Sequence, residues 1–156
     1  MAEPRRRPTL YEFAGGGRAL LALATAHHAR CLADPELEHP FSHGGHPEHV
    51  ERLAAYWGEV LGGPAASTHH GLDQSAVLRM HAHNGDMGNL GRRFLACFVA
   101  AADDAGLPAD PDFRAALAAY MTWAVDDVLA YSAEDAEVPD EARVPRWSWD
   151  GLQHSP

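Results

Sequence analysis

Apolar positions recur every three to four residues over several stretches of the chain, and every stretch but the last ends at a glycine, proline or asparagine. Residues 18–33 are the first such stretch, with Leu20, Ala24, His27, His28 and Cys31 at helical spacing. Asp34-Pro35 stops it, because the residue before proline disfavours the helical region. A second helix opens near His46-Pro47 and runs to Leu61, with Val50, Leu53, Trp57 and Leu61 as its stripe. Gly62-Gly63-Pro64 ends it. Asp73 is an N-cap for a short helix over 74–83, closed by Asn84-Gly85. A longer helix spans 89–105, with Leu90, Phe94, Cys97, Phe98 and Ala101 on one side. The last spans 111–131, with Phe113, Leu117, Tyr120, Met121, Ala124 and Val128 as its buried stripe. The start, to Gly17, is polar and glycine-rich, and Tyr11 and Phe13 staple it to the body. The tail, 132–156, is acidic before Trp147 and Trp149. No run of β-branched residues alternates with period two, so the pattern predicts an all-α protein without strands.

Composition narrows the picture. A chain of 156 residues predicts one domain, and 46% hydrophobic residues suffice for a core. The formal charge of -10 argues against nucleic acid or an anionic membrane as partner, since both favour a basic surface. No apolar run approaches a membrane span or a secretory signal, so the expected location is the cytoplasm. Cys31 and Cys97 are too few for a disulfide scaffold, and both fall on apolar helix faces as packing groups. Dinucleotide, P-loop, CxxC and GxSxG motifs are absent from the sequence.

The surplus of histidine, 11 residues in an acidic chain, is the chemical signal. His81 lies four residues after Val77 and three after Leu78, which puts it on the apolar face of its short helix. His83 follows Arg79 by four and falls on the polar face. An inward neutral imidazole suits an axial iron ligand, its second ring nitrogen held by the Val77 carbonyl. The same placement equally suits a core histidine bonded to a backbone carbonyl. His28 and His49, on the first and second long helices, share faces with apolar neighbours and could project into one pocket. The run His39, His43, His46 and His49 has the look of a zinc, copper or nickel cluster, although no carboxylate motif accompanies it.

The order of these features resembles the truncated haemoglobins, and among them the second group. The resemblance rests on the glycines ending at Gly17, His27-His28-Ala-Arg-Cys31, Asp34-Pro35, Pro40-Phe41 and Glu51-Arg52-Leu53. Gly62-Gly63-Pro64, Leu78-Arg79-Met80-His81 and Phe94-Leu-Ala-Cys97 then complete it. It covers about residues 8–131. It implies a truncated globin fold, a two-over-two helical sandwich around haem b, followed by a C-terminal extension over 132–156. By that resemblance His81 is the proximal iron ligand. His49 takes the distal position with Leu53 one turn on, and His28 stands where the family usually carries tyrosine. Phe94 stands in place of the usual pocket tryptophan and cannot donate a hydrogen bond, so the donor role falls to His28 and His49. Phe41, Leu53, Trp57, Val77, Leu78, Phe94 and Phe98 are expected to line the haem pocket, and Arg79 and Arg92 to pair with the propionates. The other eight histidines are assigned to surface and loops.

The implied function is binding of a diatomic gas, O2, CO or NO, at a histidine-ligated iron. A reductase would be the electron donor, and a homodimer stays open. An alternative is a haem enzyme acting on peroxide or NO, with His28 and His49 as acid–base groups. A second alternative is a helical non-haem metal protein using the His39–His49 cluster.

Overall fold

The computed structural model describes residues 7–35, 49–64, 88–130 and 145–153. Its elements in chain order are α1 (Leu10–Ala14), α2 (Gly17–Ala33), α3 (His49–Val60), α4 (Gly88–Asp104) and α5 (Pro111–Ala130). A strand pair follows, β1 (Trp147–Ser148) and β2 (Gly151–Leu152). The expected short helix over 74–83 lies outside the described residues.

Several helix ends have a local cause. Thr9 caps α1, its hydroxyl accepting the Glu12 N–H at 3.1 Å, and satisfies one of the orphan donors of the first turn. Asp34 closes α2 in an extended conformation just before Pro35, as the sequence predicts. Asp110 caps α5 through the Phe113 N–H at 2.9 Å, with Pro111 in the first helical position. After α4, the Leu107 N–H returns to the Ala102 carbonyl at 3.1 Å as Gly106 turns left-handed.

Packing joins the helices as two pairs. α2 lies against α3, α4 lies against α5, and α2 crosses onto α4 to join the pairs. The shared core holds Leu20, Leu23, Trp57, Val60, Phe98, Phe113, Leu117, Tyr120 and Met121, all buried. Each such side chain contributes about 1.5–3 kcal/mol through removal of apolar surface from water.

Two findings differ from the sequence expectation. The glycine-rich start folds into α1, because Leu10 and Ala14 bury one face while the Tyr11 N–H reaches the Leu61 carbonyl at 2.9 Å. That docking needs the double glycine after α3. A Cβ on Gly63 would lie 2.7 Å from the Tyr11 ring, and one on Gly62, at φ 100°, would lie 2.8 Å from Thr9.

The tail also departs from the expectation of no strands, for it forms a short antiparallel hairpin with Trp147 opposite Leu152. Two-residue strands carry no period-two signal, and tertiary contacts hold them in place. Trp149 donates to the Pro8 carbonyl at 2.8 Å, packs edge-on against Phe13 and lies beneath the Arg7 guanidinium. Trp147 packs against Tyr120 and Trp123 of α5. The Arg146 guanidinium donates to the carbonyls of Glu59, near the end of α3, and Gly63, just beyond it, and so ties the tail to that helix end.

Candidate functional site

Two successive residues of α2 present imidazoles in different directions, because neighbours on a helix are rotated by roughly 100°. His27 is 0% exposed, and His28 is half-buried. The assignment of His27 to the surface is therefore corrected. It shares a face with Leu20, Leu23, Ala24 and Cys31, all buried. That spacing was visible in the sequence. However, α2 is rich in alanine and leucine on all sides, so its polar face is poorly marked.

His27 sits among the aromatic residues expected of a pocket. Its ring lies 4.3 Å from that of Phe94, at 76°, and 5.5 Å from that of Trp57, at 69°. Phe98 closes the group, 6.0 Å from His27 and 5.1 Å from Trp57. These edge-on arrangements suit the ring quadrupoles. His27 Nε2 is 3.3 Å from the Phe94 carbonyl oxygen. Since a carbonyl only accepts, Nε2 is the donor in this contact.

Of the other expected residues, Leu53 of α3 is half-buried and packs on the core, one turn after His49 at the start of that helix. Trp57 and Phe98 are buried, and Phe94 is half-buried. Arg92 is exposed on α4. Its neighbour Arg93 instead pairs with Asp34 at 2.9 Å, tying α4 to the end of α2. The His49 side chain, Phe41, Val77, Leu78, Arg79 and His81 lie outside the described residues, as do His39, His43 and His46. Among the described residues no group of three or more histidine, cysteine or carboxylate side chains could hold a metal ion. No helix among them is long and apolar enough to cross a membrane.

What α2, α3 and α4 bring together is therefore an apolar, aromatic group around the buried imidazole of His27, with the half-buried His28 next to it along α2. The same arrangement of helices recurs in solved structures. A haemoglobin from the thermophilic phototrophic bacterium Chloroflexus aurantiacus is 26% identical with a TM-score of 0.67, over 79% of this chain and 98% of that one. A thermostable haemoglobin from the actinobacterium Thermobifida fusca is 26% identical with a TM-score of 0.65, over 78% and 97%. The chain has the truncated-globin fold. A group II truncated haemoglobin from Bacillus anthracis shares this fold at 18% identity, with a TM-score of 0.66 over 86% of this chain and all of that one. No family model matches the sequence, and no curated protein matches it. The fold thus remains recognisable in three dimensions where sequence similarity has become low. Each of these neighbours is covered almost whole, and this chain carries further residues beyond each match.

Proposed function

We propose that this protein is a haem globin that binds a diatomic gas, O2, CO or NO. The reading is supported most by the truncated-globin arrangement together with the half-buried imidazole of His28 on α2. The residues present fit a haem. The half-buried side chains of Val50, Leu53 and Phe94 are apolar and pack on the core, with Phe94 against the His27 ring, which suits a flat, largely apolar macrocycle.

His81 would hold the iron of haem b from the proximal side, and Arg79 and Arg92 would pair with the propionates. When bound, the haem supplies reversible ligation of the gas at ferrous iron. His28 and His49 would supply the hydrogen-bond donors for a bound gas, because Phe94 has none to offer. Leu53, Phe94 and the aromatic group behind them exclude water, which would otherwise promote loss of the electron from the iron. An electron donor is the one protein partner that this chemistry requires.

The test is an absorption spectrum of the purified chain beside His81→Ala. A Soret band in the native protein that shifts or vanishes in the variant supports the assignment. A band unchanged by the substitution removes His81 from the iron, and a chain that stays colourless after haemin addition overturns the haem reading. In the ferrous protein without added gas, a six-coordinate low-spin spectrum that His28→Ala converts to five-coordinate would place His28 on the iron itself. Turnover of peroxide or NO well above that of free haemin would assign the protein as a haem enzyme instead.

A further inference from the structure

His27 joins the core to Phe94. Its imidazole is fully buried, with the Trp57 ring at 5.5 Å, the Phe98 ring at 6.0 Å and Cys31 Sγ 3.5 Å from Nε2. These neighbours come from α2, α3 and α4, so the ring has little room to turn. Phe94 of α4 is nearer still, its ring centroid 4.3 Å away at 76°, and it is only half-buried. A half-buried phenyl ring takes its orientation from the fixed edges it packs against. For Phe94 the imidazole is such an edge.

The same imidazole also bonds the main chain. Nε2 donates to the Phe94 carbonyl oxygen at 3.3 Å. Within α4 that carbonyl is placed to accept the N–H of Phe98, four residues on, so His27 uses its second lone pair. One side chain of α2 thus fixes both the ring and the backbone of Phe94. Phenylalanine in its place would supply the aromatic edge without the donor, and leucine would supply neither.

We propose that His27 is the positioning residue for Phe94 in gas binding: it sets the angle of the Phe94 ring and, through that ring, the space and water access beside the gas. This rests on the haem reading given above, in which Phe94 lines the haem pocket. Phe94 has no donor, so its influence on the gas is steric. A ring held at one angle gives the gas one environment. A ring released from His27 samples several, some of which admit water. His27, fully buried, acts on the gas only through Phe94.

The test compares the carbon monoxide complexes of the ferrous, haem-loaded full chain with and without His27→Leu, in the native background and in Phe94→Leu. In the native background His27→Leu should change the carbon monoxide dissociation rate by at least about twofold, the lower end for coupling between side chains in contact. It should also split or broaden the C–O stretching band. In the Phe94→Leu background the same substitution should change neither. His27→Phe, which restores a ring, should return the band toward its native width. A merely structural role would lower the melting temperature and leave the band as it was. An effect of equal size in both backgrounds, or a native rate and band in His27→Leu, would overturn the proposal. The native chain labelled with 4-fluorophenylalanine gives a second reading that needs neither haem nor a His27 variant that folds. Its Phe94 fluorine signal, identified by its loss in Phe94→Leu, should be single, and two Phe94 signals would overturn the positioning. A chain that takes up no haem overturns the haem reading and this role with it, whereas a chain that binds the gas without the coupling overturns this role alone.

Discussion

Replacing His27 separates what its ring packs from what its nitrogens bond. His27→Ala removes a fully buried ring from contact with Phe94, Trp57, Phe98 and Cys31. Truncation of a buried aromatic leaves a cavity and costs about 3–5 kcal/mol, and for the smaller imidazole about 3 kcal/mol is expected. His27→Phe keeps a ring in place and gives up the bond to the Phe94 carbonyl and the contact with the Cys31 thiol. Each hydrogen bond is worth about 1 kcal/mol net, and removing a buried polar ring offsets part of the loss. The phenylalanine variant should therefore lose about 1 kcal/mol. For a chain of 156 residues, 1 kcal/mol corresponds to roughly 2–4 °C in Tm, so the alanine variant should melt about 6–12 °C lower. Urea unfolding followed by far-ultraviolet circular dichroism checks both, at an unchanged m value. Equal losses in the two variants would refute the packing argument. An alanine variant within about 0.5 kcal/mol of the native protein would refute the placement of His27 in the core.

Further predictions follow from the end of α3 and from the surface of α4. Gly63→Ala puts a methyl group 2.8 Å from the Gly58 carbonyl oxygen and 2.7 Å from the Tyr11 ring, so it should cost about 1–3 kcal/mol. Faster amide hydrogen exchange in α1 would locate the effect, and an unchanged melting temperature would contradict it. The Arg30 guanidinium holds the Asp104 carboxyl below its ordinary value of 3.8, chiefly through their hydrogen bond. A depressed carboxylate contributes stability that is full above its unfolded pKa and is lost as pH falls through the folded one. The stability difference between the native chain and Asp104→Asn should thus stay constant from about pH 5 to 8, shrink below about pH 4, and shrink with added salt. A difference that grew on acidification would reverse the sign of the argument.

The sequence by itself determined the long helices, most of their stops and the fold class. Proline after Asp34, Asp110 before Pro111 and the glycines at 62, 63 and 106 act within a few residues, and local backbone sterics do not wait for tertiary contacts. It also supplied the ordered landmarks whose resemblance to truncated haemoglobins the structural neighbours uphold. That Leu53, Trp57, Phe94 and Phe98, the described residues expected near the haem, pack in or on the shared core was legible in the same way, because they stand on apolar stripes. Only the tertiary structure decided which of two adjacent histidines is buried. Helix spacing separates His27 from His28 by an angle, but on an alanine-rich helix nothing local says which angle faces α4. The docking of α1 on Gly62-Gly63 and the hairpin under Arg7 are contacts between residues far apart in sequence. Burial of shared apolar surface brings such residues together, and that depends on the packing of whole helices rather than on the pattern along any one of them.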